Sequence, residues 1–142
     1  MKTEISFAKL KDAKNLEILD NIANGEFNYW FPKSKKEFEK IIIKSKRLIL
    51  VSKNDDDIVG YLQAKFKDDK KTIWVENIYV MKKFRKNKIS KNLVRKFVEY
   101  WKNKVENIVL LTSDKNKIIF EKLGFKKTMN YMEFVYRNKI FR

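Results

Sequence analysis

Residues 75–93 read VENIYVMKKFRKNKISKNL, and this stretch decides the fold. Its first part is mainly apolar, which predicts a strand, and its last part carries Ile89 and Leu93 at helical spacing. Only a short basic turn separates the two elements. The first N–H groups and the positive dipole end of the helix would therefore face an anion at this turn. A solvated lysine-rich connection has the same pattern, and this stretch alone does not separate the two interpretations.

The preceding residues predict a strand, two helices and a hairpin. Residues 3–7 alternate in polarity as a strand does. Asp12 is a candidate N-cap for a first helix that Gly25 would end. Ser34 and Glu37 have the spacing of a capping box, which predicts the start of a second helix. Strands are then predicted at 48–51, 58–64 and 72–81.

The following residues predict an amphipathic helix over 89–101, a strand at 108–111, a short helix from about 114 to Gly124 and a final strand at 129–136. The order is therefore β, α, α, β, β, β, α, β, α, β. A strand-helix-strand crossover of this kind is parallel and right-handed. The pattern predicts a mixed sheet covered by helices, in one domain over residues 1–142.

Composition narrows the chemistry. A chain of 142 residues that is 44% hydrophobic can fill the core of one domain. Its apolar runs are too short to cross a bilayer, so we expect a soluble, cytoplasmic protein without a membrane partner. The absence of Cys and His excludes thiol nucleophiles, Ser-His relays and the usual zinc sites. We therefore expect no metal, and any acid or base must be Glu, Asp, Tyr, Lys or solvent.

The net charge of +16 would attract phosphates, nucleic acid or acidic surfaces. The surplus is almost all lysine, 29 against 5 arginines, and it is spread over nearly every segment. This distribution favours a compositional bias over a nucleic-acid footprint. Only the cluster at 82–91 is concentrated enough to predict a dedicated anion site.

The turn and helix resemble the signature of the GNAT superfamily of N-acetyltransferases. That signature is a strand ending in a Val-type triplet, an aromatic residue and then Arg/Gln-x-x-Gly-x-Gly/Ala at the start of a helix. Val80, Phe84 and Arg85 match it, whereas Lys88 and Ser90 stand in place of the glycines. Either Lys88 bears a conformational cost of roughly 1–2 kcal/mol or the turn is reshaped.

A second match lies at 113–125, SDKNKIIFEKLGF, which resembles the GNAT motif Asn-x-x-Ala-x-x-Phe-Tyr-Glu-Lys-x-Gly-Phe. Ser113 takes the place of the motif's Asn, and Asn116 lies one helical turn later. Val59-Gly60-Tyr61 is similar to a third, weaker motif. The resemblance implies an α/β (α+β) GNAT acyl-CoA N-acyltransferase fold, with a mixed central sheet of about six to seven strands flanked by four helices.

The resemblance also implies acetyl-CoA (coenzyme A) as the cofactor. The main chain of Ile78 to Val80 would pair with the pantetheine arm, and an N–H near Val80 would hold the thioester oxygen. Asn116 or Ser113 would hydrogen-bond the same arm. The implied cofactor-binding residues are Ile78, Tyr79, Val80, Arg85, Lys86, Lys88, Ile89, Ser90, Lys91, Ser113, Asn116 and Phe120.

Glu76 is the candidate general base, because an alkyl ammonium with a pKa near roughly 10 must lose a proton before it can attack. It lies four residues before Val80, as in spermidine/spermine-type acetyltransferases, and strand alternation would place it on the same face as Ile78 and Val80. The alternative is a strand carboxylate paired with a lysine.

The general acid of the family is a tyrosine, and its position falls on Phe120, which has no proton to give. Water or another hydroxyl would substitute, and Tyr131 is the candidate, with Tyr79 and Ser113 as alternatives. Without any substitute, catalysis would be weak or lost.

The predicted function is transfer of an acetyl group from acetyl-CoA to a primary amine by direct attack on the thioester. The acceptor would be a small-molecule or peptide amine, in a pocket shaped by the aromatic loop 27–32, and the acidic Asp20 and Glu26 nearby would suit a polyamine. The alternatives are a degenerate acyl-CoA-binding protein and a basic nucleic-acid-binding domain, the latter less favoured. The sequence leaves a homodimer open.

Overall fold

The structure, a computed structural model, describes residues 3–28, 31–110 and 117–126. Within them the elements follow the predicted order. The strands are β1 (Glu4–Phe7), β2 (Ile49–Asn54), β3 (Asp57–Phe66), β4 (Thr72–Val80) and β5 (Asn107–Leu110). The helices are α1 (Ala13–Phe27), α2 (Lys35–Lys44), α3 (Ile89–Trp101) and α4 (Lys117–Lys122).

The described strands form one mixed sheet in the order β1-β2-β3-β4-β5. The first four are antiparallel neighbours, and β5 runs parallel to β4 after the crossover through α3. The mixed α/β fold and its four helices are confirmed. The described residues hold five strands, fewer than the six to seven predicted, and the predicted strand at 129–136 lies outside them.

Helices cover the sheet on both faces. Leu62 on β3 belongs to a core with Leu93 and Phe97 of α3. Its neighbour Tyr61 points the other way, into a second core with Leu16 of α1 and Phe38 of α2. Successive residues of a strand alternate between faces, so a strand buried on both faces reads as a continuous apolar run.

The helix ends confirm one prediction, the capping box of α2, and correct two others, at Asp12 and Gly25. The capping box of α2 forms, since Ser34 Oγ accepts from the Glu37 N–H at 3.2 Å. Asp12, however, accepts from the Lys9 N–H at 2.8 Å and so closes a 3-10 turn ahead of α1. Gly25 does not end α1, which continues to Phe27 and is capped by Asn28, where φ is 55°. Asparagine tolerates this left-handed conformation and therefore takes the role assigned to glycine.

Gly60 lets α3 approach the sheet closely. A Cβ at this position would lie 3.0 Å from the carbonyl oxygen of Tyr79, 3.2 Å from Val80 Cγ2 and 3.4 Å from Ile89 Cγ2. Ile89 is the first residue of α3. The missing side chain therefore sets where the start of α3 lies against β3 and β4. No helix among the described residues is both long enough and apolar enough to cross a membrane.

Candidate active-site cleft

A cleft lies along the second half of β4. Pairing between β4 and β5 joins Thr72–Val75 to Asn107–Leu110 and, among the described residues, goes no further. Beyond Val75, β4 continues to Val80 beside β3. A cavity of about 700 Å³ lies along this part of β4, the basic turn and the start of α3. Its lining residues are Val75, Glu76, Asn77, Ile78, Val80, Phe84, Arg85, Lys86, Lys88, Ile89, Ser90, Lys91, Leu110, Ile119 and Phe120.

The main chain of β4 faces this cleft at alternate residues. The Met81 N–H donates to the Val59 carbonyl at 2.8 Å, which makes these opposite residues a hydrogen-bonded pair. Opposite residues in an antiparallel ladder alternate between bonded and non-bonded pairs. Tyr79, two residues before Met81, therefore also bonds to β3. Ile78 and Val80 fall in the non-bonded pairs and turn their N–H and C=O groups away from β3. Ile78 and Val80 are therefore the predicted positions whose main chain faces the cleft.

The basic turn keeps a shape that favours glycine. Lys88 has φ 62° and is the N-cap residue of α3, and Lys86 has φ 69°. Lys88 therefore adopts the left-handed conformation despite its side chain. Of the two alternatives left by the sequence, this is the one in which Lys88 bears the conformational cost. Asn87 supports the turn through Nδ2, which donates to the carbonyls of Phe84 at 3.0 Å and Arg85 at 3.3 Å.

Helix α3 begins directly after this turn. Its first backbone bond runs from the Asn92 N–H to the Lys88 carbonyl at 3.0 Å. The N–H groups of Ile89, Ser90 and Lys91 precede it and have no partner within the helix. The side chains of Lys86 and Lys88 beside them are exposed. Free N–H groups, the helix dipole and nearby ammonium groups together form an anion-binding arrangement.

Arg85 makes a different set of contacts. Its guanidinium forms two bonds to Glu26, at 2.6 and 2.8 Å, and its Nε donates to the Val80 carbonyl at 2.9 Å. The hydrogen bonds from Arg85 and Tyr79 lower the pKa of Glu26, and the bond to Glu26 raises the pKa of Arg85. Arg85 lines the cleft, yet its guanidinium is bound to Glu26 near the end of α1.

Glu76 sits at a β-bulge. Gln63 lies opposite Asn77 and Ala64 opposite Val75, so Glu76 is the extra residue on β4. The bulge interrupts the alternation that would align Glu76 with the strand's later cleft residues. Its Oε1 accepts from Gln63 Nε2 at 2.8 Å, and its Oε2 lies 3.7 Å from Lys65 Nζ. Glu76 lines the cavity with an amide at one oxygen and a lysine at the other, and the predicted alternative of a strand carboxylate paired with a lysine is therefore observed.

Gln63 is a site residue that the sequence analysis missed. It is 1% exposed and also donates to the Ala64 carbonyl at 3.2 Å, while its Oε1 accepts from Asn77 at 3.4 Å. Buried polar side chains need such partners. A signal was available, because Gln63 is polar within the apolar run 58–64.

Of the remaining predicted site residues, one lines the cleft and three lie outside the described residues. Phe120 lines the cleft and packs edge-on against Phe125, with ring centres 6.0 Å apart. Ser113, Asn116 and Tyr131 lie outside the described residues.

The carboxylates considered for a polyamine are both engaged. Asp20 is 2% exposed and accepts from the Tyr61 hydroxyl and, at 2.6 Å, from the Lys33 N–H. Glu26 is bound by Arg85 and Tyr79. Both carboxylates are therefore engaged within the protein, and their attraction of a polyamine stays a prediction. Among the described residues, no cluster of three acidic side chains could hold a metal ion.

Solved structures with the same fold include several acetyltransferases. Glucosamine-6-phosphate N-acetyltransferase from Arabidopsis thaliana is 18% identical, with 91% of this chain and 95% of that chain covered and a TM-score of 0.68. A predicted acetyltransferase from Clostridium acetobutylicum, solved with acetyl-CoA, is 16% identical, with 89% and 92% covered and a TM-score of 0.65. At these identities the likeness establishes the fold.

A third similar structure is the aminoglycoside N-acetyltransferase AAC(6')-Iy in complex with the bisubstrate analogue CoA-S-monomethyl-acetylneamine. It is 17% identical, with 91% of this chain and 94% of that chain covered and a TM-score of 0.68. Comparison with curated proteins gives no significant match.

The family model described as "Acetyltransferase (GNAT) family" matches residues 16–125. This span runs from α1 to the end of the α4 segment and includes the cleft, the bulge and the basic turn. It is well over half of the chain. The protein therefore belongs to the GNAT family of acetyltransferases.

Proposed function

We propose that the protein is an acetyl-CoA-dependent N-acetyltransferase that transfers acetyl to a primary amine by direct attack of the amine on the thioester. One observation carries the proposal. The cleft brings the main chain of Ile78 and Val80 beside the open N-terminus of α3, at a turn where Lys88 keeps the left-handed conformation. Fold alone would not support an activity, whereas this combination suits an elongated ligand that ends in phosphate.

The described residues fit such a ligand. The N–H and C=O of Ile78 and the N–H of Val80 suit an amide-bearing arm, because they offer donors and an acceptor while the Val80 carbonyl accepts from Arg85. The N–H groups at the start of α3 suit a pyrophosphate, with Lys88 and Lys91 supplying charge. Acetyl-CoA supplies, when bound, an acetyl group activated as a thioester. The acetyl-CoA complex of the Clostridium relative supports this assignment by analogy.

The chain's own groups divide the chemical work. The Val80 N–H is the candidate donor to the acyl oxygen, where losing one such donor typically costs about 2.7–4 kcal/mol. Glu76 takes the proton that the amine must lose, and Gln63 holds the other carboxylate oxygen. Tyr131 or water returns a proton to the departing sulfur. The proton balance therefore closes without a histidine.

The acceptor is proposed as a small-molecule or peptide amine. The similar structures include an enzyme named for glucosamine 6-phosphate and one named for aminoglycosides. Phe31 in the predicted acceptor loop is 86% exposed and Phe27 is 53% exposed. Exposed rings at this position suit an acceptor with an apolar face.

Calorimetric titration with acetyl-CoA, CoA and a short DNA duplex tests the proposal, followed by turnover with a panel of amines. Thiol release is a clean assay here, because the chain has no cysteine and every new thiol must come from CoA. We expect CoA binding and amine-dependent thiol release. Binding without turnover would instead indicate an acyl-CoA-binding protein. Salt-sensitive duplex binding without CoA binding would indicate a nucleic-acid-binding domain.

A further inference from the structure

We propose that Arg85 is a positioning residue that fixes the end of β4 to the end of α1 through Glu26, and that it does not bind the phosphates of the acyl donor. The inference rests on the proposed function, because it assigns a role within that reaction. It departs from the motif resemblance, which implies a cofactor contact for this arginine.

All three nitrogens of the Arg85 guanidinium already have acceptors within the protein. Both carboxylate oxygens of Glu26 are engaged by its terminal nitrogens, at 2.8 and 2.6 Å. The third nitrogen, Nε, donates to the Val80 carbonyl at 2.9 Å. A planar guanidinium bound at all three nitrogens has a fixed orientation, which a lysine could not reproduce.

Two aromatic rings reinforce this orientation. The Arg85 guanidinium carbon lies 5.5 Å from the ring centres of both Phe27 and Tyr79. The Tyr79 hydroxyl donates to Glu26 at 2.8 Å, so carboxylate, ring and guanidinium form one connected group. This group is the Arg85 clamp: Glu26, Phe27, Tyr79, Val80 and Arg85.

The clamp joins the two sides of the candidate reaction. Val80 turns its main chain toward the cleft, so a fixed Val80 carbonyl restrains the strand end whose N–H would hold the acyl oxygen. Glu26 and Phe27 end α1 and lead into the loop predicted to shape the acceptor pocket. Arg85 therefore sets the position of the acyl-donor strand relative to the acceptor side.

The charged neighbours of Arg85 differ from those of the lysines at the anion-binding end of the cleft. Glu26 neutralises Arg85 locally, whereas Lys86, Lys88 and Lys91 line the cleft beside the free N–H groups of α3. The double variant Glu26→Gln/Arg85→Gln removes the pair and leaves the net charge unchanged. Arg85→Lys keeps the charge and loses the fork. Lys83→Gln is a control, since it removes a charge from the same turn at a residue outside the cleft lining.

The first readout is the separation of binding from turnover. In Arg85→Lys and the double variant, we expect the Kd for CoA to stay within about twofold while kcat falls about tenfold or more, as misplaced groups commonly cause. Lys83→Gln should leave kcat unchanged. A weaker Kd in the double variant with unchanged kcat would show that Arg85 binds the anion, and the inference would be overturned.

The second readout needs no ligand. Amide hydrogen exchange over residues 76–84 and 24–28 in the unliganded protein should be faster in Arg85→Lys than in wild type, and unchanged in Lys83→Gln. Equal exchange in all three proteins would also overturn the clamp. If wild type bound no CoA, the proposed function would fail, while this measurement would still decide the clamp.

Discussion

Gln63 Nε2 donates to Glu76 Oε1 at 2.8 Å, across the bulge where the register of β3 and β4 shifts. The donor is 1% exposed, and the acceptor side chain is 29% exposed. A buried amide therefore holds one carboxylate oxygen at the edge of the cleft. The other oxygen, Oε2, forms an ion pair with Lys65 Nζ at 3.7 Å, so a reacting amine would have to displace this lysine.

Glu76→Gln should lower kcat about 100-fold or more with little effect on CoA affinity, since a general base contributes at least this much. Gln63→Leu should lower kcat less, because the base remains but loses its support. Steady-state kinetics with several amines across pH checks both variants. Full activity of Glu76→Gln at every pH would remove Glu76 from the catalytic role.

Phe120→Tyr should raise kcat. The substitution adds one oxygen to an aromatic side chain that already lines the cleft, so packing against Phe125 should change little. The added phenol would donate a proton to the departing sulfur if that step limits turnover. Thiol release under saturating substrates measures the effect. An unchanged rate in an active enzyme would mean that another group, or water, is the acid.

Lys88→Gly and Lys88→Ala should separate conformation from charge. Glycine removes a left-handed cost of about 1–2 kcal/mol and adds unfolded-chain entropy worth about 0.4–1 kcal/mol, so the free energy of unfolding should rise slightly. Alanine keeps the Cβ and should bring no such gain. Both variants lose one charge, so CoA should bind more weakly and with a flatter salt dependence. Urea unfolding and titration at two salt concentrations check these outcomes, and unchanged affinity would assign the anion to the backbone alone.

Gly60→Ala should destabilise the fold by about 1–3 kcal/mol, because the new Cβ would lie 3.0 Å from the Tyr79 carbonyl oxygen and crowd Ile89. Gly25→Ala is the matched control: a Cβ there meets nothing within 4 Å, and alanine in a helix stabilises by about 0.5–1 kcal/mol. In chemical unfolding, we expect the free energy of unfolding to fall for Gly60→Ala and to rise for Gly25→Ala. Equal shifts would show that α3 does not depend on this close approach.

The Glu26 pair should give a pH-dependent part of the stability. Hydrogen bonds from Arg85 and Tyr79 hold the pKa of Glu26 below its ordinary value of 4.5. A lowered pKa in the folded state means that the stabilisation is complete above 4.5 and is lost as the pH falls through the folded value. The stability difference between wild type and Glu26→Gln should therefore shrink below pH 4.5. Urea unfolding between pH 7 and 3 checks it, with Glu4→Gln as the background for an exposed carboxylate.

Local signals predicted most of the fold. The capping box at Ser34 and the apolar spacing of α3 each act within a few residues, and both elements form as predicted. Gly25 failed as a helix end because a single helical glycine costs only about 1 kcal/mol. The buried Leu19 and Ala23 hold α1 to the sheet, so the helix continues past Gly25 to Phe27.

The site was less predictable because its contacts are long-range. Glu26 and Arg85 are 59 residues apart, and no spacing rule relates them. The bulge at Glu76 depends on how β3 pairs with β4, which neither strand specifies alone. The assigned roles of Glu76 and of the cofactor-binding residues stay predictions, and Tyr131 lies outside the described residues.

The second half of β4 also bears on association between copies of the chain. No described strand pairs with the main-chain groups of Ile78 and Val80 that face away from β3, and an unpaired strand edge is a template on which another chain can pair and aggregate. Lysines commonly protect such edges by repulsion, and Lys82, Lys83 and Lys86 stand just past the end of β4. Of these three lysines, only Lys86 lines the cleft, so on a chain of net charge +16 the ammonium group that would attract a phosphate would also repel a second copy of the protein from the same edge.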